Sequence, residues 1–166
     1  MKKICFLFSV ILLLQLMGCA KQEEILELKN EPVATTMESE EKSIQIYTID
    51  EQNLESIAAK VVLTKGEKKT TKNIVGKVVT LFQAHAINIQ IDFVKVEDDI
   101  AYISFKKNGA PVIGVSEVVE EVILESISKS IIDNMNKISK IVFKVEGNAY
   151  KSENLSLGEN EVYWWK

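Results

Sequence analysis

The chain has 166 residues, of which 46% are hydrophobic and 27% are charged, and its formal net charge is −4. This length suits one domain and a further segment. All basic residues are lysine, and arginine is absent. Because bidentate recognition of phosphate and guanine depends on the guanidinium group, we expect an acidic chain without arginine to bind no nucleic acid.

The first nineteen residues have the layout of a secretory signal peptide. Lys2 and Lys3 supply a positive start, an apolar run follows, and small residues precede a cleavage point. The run is shorter than the roughly 20 apolar residues of a membrane-spanning helix. Its end, Leu16-Met17-Gly18-Cys19, resembles the lipobox of bacterial lipoproteins. The resemblance implies that residues 1–18 are removed and that Cys19 carries a diacylglycerol thioether.

Two alternatives stay open for this segment, namely ordinary cleavage with Cys19 unmodified and an uncleaved membrane anchor. As a lipoprotein, the mature chain would have 148 residues and a net charge of −6. Two acyl chains on one cysteine suffice for stable anchoring, which predicts a lipid-anchored location on the extracytoplasmic face of the cell membrane. Cys5 is discarded with the signal peptide, so we expect no disulfide.

Residues 19–42 are predicted to comprise the lipidated cysteine and an acidic, flexible tether, followed by one domain over residues 43–166. Pro32 and seven glutamates lie between Cys19 and the domain. As a coil, residues 20–42 would span roughly 25–30 Å. The alternative is a segment that folds on a binding partner.

The domain is predicted to be α+β, with about five strands in one mainly antiparallel sheet, two helices packed on one face, and the order β-β-α-β-β-α-β. Alternating apolar residues indicate strands over residues 44–49, 56–64, 87–96, 101–105 and 141–145. In the third strand the alternation changes phase, which predicts a β-bulge or a strand break near Phe93-Val94. Asp98-Asp99 predicts a hairpin turn.

Apolar residues at helical spacing predict the two helices. The first follows an N-cap at Thr70 or Thr71, and Gly76 inside it is expected to mark close packing, because glycine costs up to about 1 kcal/mol in a helix. The second starts near Val115 and is rich in β-branched residues, so burial must stabilise it. Its glutamates are expected to face solvent: Glu117, Glu120, Glu121 and Glu125.

The side chains that could carry chemistry are few, and each is predicted to be structural. The one histidine, His85, ends the first helix, where its charged form suits the helix dipole. The predicted domain has no second histidine and no free cysteine to complete a metal site with His85. Asp98-Asp99 could be a carboxylate pair for acid/base chemistry or cation binding, and the glutamates of the second helix could bind calcium. A turn pair and solvated helix residues are the better interpretations. No catalytic residue, metal site or cofactor is predicted.

Three aromatic residues near the C-terminus, Tyr163, Trp164 and Trp165, form the candidate interaction surface. Exposed tryptophans could stack on a glycan or lie at a membrane interface. Alternatively, one of them packs against the sheet where the chain ends.

The segment Val96–Phe105 resembles the strand–turn–strand of the GerMN domain, which occurs in bacterial sporulation and spore-germination proteins. The helix from Val115 and the segment Ile138–Gly147 resemble the helix and closing strand of that family, and Ile44–Ile49 its opening strand. The likeness covers residues 43–150, although Asp99 replaces the usual turn glycine. It implies a non-catalytic interaction module in sporulation or germination of a Gram-positive bacterium, with envelope or spore proteins as partners.

Two other functions stay open. One is a solute- or glycan-binding envelope lipoprotein that uses Tyr163–Trp165. The other is a cell-wall hydrolase, which would need a carboxyl group in an apolar pocket.

Overall fold

The structure of the chain, a computed structural model, describes residues 42–165, without the side chain of residue 165. The predicted signal peptide, the predicted lipidation of Cys19 and the tether up to residue 41 lie outside these residues. The elements follow in chain order: β1 (Ser43–Asp50), β2 (Glu55–Val62), α1 (Thr71–Ala84), β3 (Ile91–Glu97), β4 (Ile100–Phe105), α2 (Glu117–Asn134), β5 (Lys140–Val145), β6 (Asn148–Ala149) and β7 (Trp164–Trp165).

The α+β class and the order of the first seven elements are confirmed, but the strands form two sheets instead of one. β1 and β2 pair antiparallel as a two-stranded hairpin. The second sheet has five strands in the order β3-β4-β5-β6, with β7 also on β5. Only the pairing of β4 with β5 is parallel, so the sheets of residues 42–165 are mainly antiparallel.

The prediction of a single sheet is wrong, because side chains of α2 occupy the edge of β1 that faces away from β2. The amide of Asn134 bridges the backbone of Gln45, accepting from its N–H at 3.4 Å and donating to its carbonyl at 2.5 Å. The N–H of Tyr47 donates to Ser130 Oγ at 2.8 Å. A buried strand edge needs such partners for its backbone groups, and here a helix supplies them in place of a strand.

Helix α1 buries one face and leaves the other in solvent. Thr70 is the N-cap and accepts from Asn73 N–H at 3.2 Å. The buried face includes Ile74, Val78 and Phe82, all 0% exposed. Gly76 lies on the solvent side, and a Cβ added to it would meet nothing within 4 Å. The expectation of close packing at Gly76 is therefore wrong.

One hydrophobic core joins both helices and both sheets. Its aromatic centre is formed by Phe105, Phe143 and Tyr150, whose ring centroids lie 5.7–6.3 Å apart. Ile57 and Val118 fit the apolar spacing of the predicted second strand and second helix, but they are 44% and 49% exposed.

The local irregularities lie close to their predicted positions. The register of β3 against β4 shifts between Ile91 and Phe93, about one residue before the predicted bulge. Asp98 and Asp99 form the predicted turn, and Asp98 has a φ of +52°, a region that aspartate tolerates better than most residues. Neither helix among residues 42–165 is long and apolar enough to cross a membrane.

Candidate interaction surfaces

The C-terminal aromatic residues hold the end of the chain on the larger sheet. Trp164 pairs with Ile141 in β5, and the N–H of Tyr163 donates to the carbonyl of Ile141 at 2.9 Å. The ring of Tyr163 packs against that of Phe143, with 5.1 Å between centroids. Tyr163 and Trp164 are half-buried and pack on the core. Part of the predicted interaction surface is therefore used in packing within the domain. The side chain of Trp165 lies outside the described part of the chain.

A hollow of about 230 Å³, which we call the aromatic hollow, lies between α2 and the C-terminal segment. It is lined by Glu117, Glu120, Glu121, Asn154, Leu155 and Tyr163. Burial, and to a lesser extent the carboxylates of Glu121 and Glu125, raise the pKa of Tyr163 to about 12. The phenol therefore stays neutral at physiological pH, so the hollow combines an aromatic ring with acidic acceptors.

Glu120 is buried, with 2% exposure, so the expectation that it faces solvent is wrong. Its two carboxylate oxygens accept from the Tyr150 hydroxyl at 2.7 Å and from Asn154 Nδ2 at 2.8 Å. Burial raises the pKa of Tyr150, and the hydrogen bond to Glu120 adds to this shift. Both oxygens are thus engaged, and Glu120 ties α2 to the chain that follows β6. Glu117 and Glu121 are exposed, as expected.

A second groove, which we call the tip groove, lies where the turn of the hairpin meets α2. Its volume is about 340 Å³. Its apolar lining includes Leu54 and Val118, which are 40% and 49% exposed, and the buried Val122. Its polar rim consists of Glu55, Ser56, Glu121, Glu125 and Lys129. The groove therefore offers apolar contacts inside a mainly acidic border.

Strand β2, beside the tip groove, has an open edge. The N–H of Leu63 donates to the carbonyl of Lys42 at 2.8 Å, so antiparallel alternation turns the backbone groups of Ala58, Lys60 and Val62 away from β1. Among residues 42–165, no strand pairs with that edge and no hydrogen bond reaches those groups. The hairpin register is also continuous over all eight residues of β2.

Strand β3 is also an edge strand, but it carries features that discourage pairing. The register shift leaves Asp92 without an opposite residue in the backbone pairing with β4. Lys95 and Glu97 form an exposed ion pair further along the strand. Bulges and charged side chains are common ways to blunt a sheet edge. Of these two edges, β2 is therefore the one suited to accept another strand.

The remaining candidate residues connect neighbouring elements. His85 caps the C-terminus of α1, and its Nδ1 lies 2.7 Å from Glu51 Oε1 in the hairpin turn. The Asp99 carboxylate accepts a hydrogen bond from the Ser139 hydroxyl and forms an ion pair with Lys140 at 3.2 Å. The hydrogen bond from Ser139 lowers the pKa of Asp99 most, and the contact with Lys140 lowers it further. No group of three or more His, Cys, Asp or Glu side chains in residues 42–165 is placed to hold a metal ion.

The tip groove was not predicted from the sequence, although one signal was available. Leu54 is the only apolar residue of the polar connection 50–54. Val118 carried no signal, since it fits the apolar spacing of its helix. The exposure of both residues depends on the crossing of the hairpin over α2.

No family model and no curated protein matches this chain, so the GerMN resemblance stays a prediction. The chain is similar to the crystal structure of a "Putative Lipoprotein from Clostridium perfringens" at 18% sequence identity, over 74% of this chain and 87% of that one. The TM-score is 0.42, and at that value the likeness carries no argument about fold or function.

Proposed function

We propose that this chain is a lipoprotein of the extracytoplasmic face of the cell membrane, and that its domain binds another envelope protein without catalysing a reaction. The anchor is supported by Lys2-Lys3, the apolar run and the lipobox-like sequence that ends at Cys19. The binding role rests on one observation, the open edge of β2 beside the tip groove.

The edge and the groove together suit an extended segment of a partner. Such a segment would add a strand to β2, with affinity from main-chain hydrogen bonds and specificity from side chains at alternate positions. Leu54 and Val118 would contact an apolar side chain of the segment. Glu55 and Glu121 on the rim favour lysine or arginine next to it, so the proposed partner segment is basic and apolar.

The GerMN resemblance narrows this proposal to sporulation or spore germination of a Gram-positive bacterium. It is supported by the segment Val96–Phe105, which forms the end of β3, a turn and β4, and by the order of the elements. The partner would then be an envelope or spore protein.

The anchor is tested by replacing Cys19 with alanine and following the protein in membrane and soluble fractions. We expect Cys19→Ala to be released from the membrane by a high-salt wash, which screens electrostatic contacts with lipid headgroups, and to incorporate no labelled fatty acid. Cys5→Ala is the matched control, since it changes the other cysteine and leaves the lipobox intact. A Cys19→Ala protein that still sediments with membranes after the high-salt wash would refute the lipid anchor.

The binding role is tested at Ala58, whose N–H points away from β1. Ala58→Pro removes that donor and blocks an added strand, and proline is tolerated at such edge positions. Ala58→Thr keeps the N–H and serves as the control. With a photo-crosslinker at Ile57, we expect a discrete cross-linked species in the threonine variant and its loss in the proline variant. Equal cross-linking in two folded variants would exclude pairing at this edge.

A second candidate function, glycan binding, is favoured by the aromatic hollow. The Tyr163 ring lies beside carboxylates that could accept hydrogen bonds from sugar hydroxyls. Tryptophan fluorescence titrated with soluble peptidoglycan fragments separates the two functions, because Trp164 follows Tyr163 directly. A flat titration removes glycan binding and leaves the protein-binding proposal untouched.

A further inference from the structure

The end of the hairpin opposite the tip groove is rich in exposed lysines. Lys65, Lys68 and Lys69 lie in the loop after β2, and Lys72 lies in the first turn of α1. All four are exposed, and none forms an ion pair within residues 42–165. We call these four residues the basic end.

Hydrogen bonds hold this loop in a defined arrangement. The carboxylate of Glu67 accepts from Thr64 N–H at 3.1 Å and from Lys77 Nζ at 3.0 Å, and Asn73 Nδ2 donates to the carbonyl of Lys68 at 2.8 Å. Lys77, and less strongly Thr64, lower the pKa of Glu67. The acidic residue of the loop is therefore neutralised by Lys77. Asp92, which lines a groove with Lys72, is the nearby acidic residue on β3.

The chain enters the domain at this same end. The carbonyl of Lys42 accepts from the N–H of Leu63 at 2.8 Å, and Leu63 is two residues before Lys65. Lys42 is the last residue of the predicted tether. An anchor on Cys19 would therefore be connected to the domain next to the basic end.

The opposite end of the hairpin is acidic. Asp50, Glu51 and Glu55 lie at its turn, and Glu121 borders the tip groove next to it. Eight residues of strand separate the two ends, which is about 26 Å. Electrostatic screening acts over about 8–10 Å at physiological salt. A charged surface that meets the basic end therefore interacts little with the acidic turn.

We infer that the basic end is a docking surface for the anionic phospholipid headgroups of the membrane that holds the chain. Docking there turns the tip groove away from the bilayer, toward partners in the envelope. Each lysine held near an anionic leaflet strengthens binding about fivefold. The inference rests on the proposed lipid anchor, which would hold the domain near the membrane. Binding of the basic end to lipid vesicles can be measured without the anchor.

The test uses the unacylated mature chain, residues 19–166 with Cys19→Ser. This chain keeps the tether glutamates, which compete with anionic lipids for the lysines of the basic end. Sedimentation is measured with vesicles of phosphatidylcholine alone and with added phosphatidylglycerol. We expect binding only to the vesicles with phosphatidylglycerol, weakened by salt, and reduced at least about tenfold in Lys65→Gln/Lys68→Gln/Lys69→Gln/Lys72→Gln.

A matched control changes four exposed lysines in other loops, Lys106, Lys107, Lys137 and Lys151, to glutamine and alters net charge equally. This control is expected to bind like the parent chain. Equal losses in both quadruple variants, no binding to phosphatidylglycerol vesicles, or equal binding to neutral vesicles would each overturn the inference. Preference for soluble poly(glycerol phosphate) would assign the basic end to a wall polymer and overturn it as well. None of these outcomes bears on the fatty-acid labelling of Cys19→Ala or on its release by a high-salt wash, so the two proposals fail separately.

Discussion

Helices α1 and α2 share one core, but they are buried in different ways. α1 buries a single apolar face and leaves Gly76 and Thr80 in solvent. α2 is contacted by the hairpin, by α1 and by the chain after β6, so Glu120, Ser130 and Asn134 are buried together with its isoleucines. A helix with polar residues on several sides can therefore lie in the middle of a domain. Its polar side chains must then form hydrogen bonds with buried polar groups of the neighbouring elements.

The largest expected effect lies on the buried face of α1. Phe82→Ala removes a side chain with 0% exposure and should lower the free energy of unfolding by about 3–5 kcal/mol. Urea denaturation followed by circular dichroism measures the loss. Thr80→Ala, on the exposed side of the same helix, should change stability by less than about 0.5 kcal/mol. Similar losses in both variants would show that α1 is not buried on one face alone.

The next effect concerns the buried carboxylate of α2. Glu120→Ala leaves the Tyr150 hydroxyl and the Asn154 amide without their acceptor and should cost about 2–3 kcal/mol. Glu121→Ala changes the adjacent, exposed glutamate and should lie within about 0.5 kcal/mol of the parent chain. Urea denaturation of the two variants side by side compares them. If Glu120→Ala is no less stable than Glu121→Ala, the polar tie of α2 is not formed.

A smaller effect is expected where α2 meets β1. Asn134→Ala removes the amide that bridges the backbone of Gln45 and should cost about 1–2 kcal/mol. Hydrogen exchange should report this locally, as faster exchange of the Gln45 amide while β5 amides keep their protection. Asn136→Ala is the control, because that asparagine is exposed. Unchanged exchange at Gln45 would mean that the helix does not protect this strand edge.

The smallest effect is a gain in stability on the open side of α1. Gly76→Ala adds a methyl group that meets nothing within 4 Å, so only the change in helix propensity counts. We expect stabilisation by about 0.5–1 kcal/mol, seen as a higher urea midpoint. A loss of stability would indicate close packing at Gly76, as the sequence analysis expected.

Most of the local structure was predictable from short stretches of sequence. The N-cap at Thr70, the turn at Asp98-Asp99 and the register shift before Phe93 were each indicated by neighbouring residues. The two-residue strands β6 and β7 were not predicted, because two residues carry no periodicity. Tyr163 and Trp164 were identified as candidates, but their half-buried positions depend on Ile141 and Phe143 in β5.

The fold class, the order of the main elements and their caps and turns follow from the sequence alone, since these depend on residues a few positions apart. Contacts between distant segments decide that the strands form two sheets, that Glu120 is buried and that the outer edge of β2 is open among residues 42–165. The physical reason is the distance along the chain between the partners. Gln45 and Asn134 are 89 residues apart, and Glu120 and Tyr150 are 30 apart. The local sequence around a polar residue such as Asn134 or Glu120 is the same whether the residue lies in solvent or in a core. Such a residue is buried only where distant residues supply its hydrogen-bond partners.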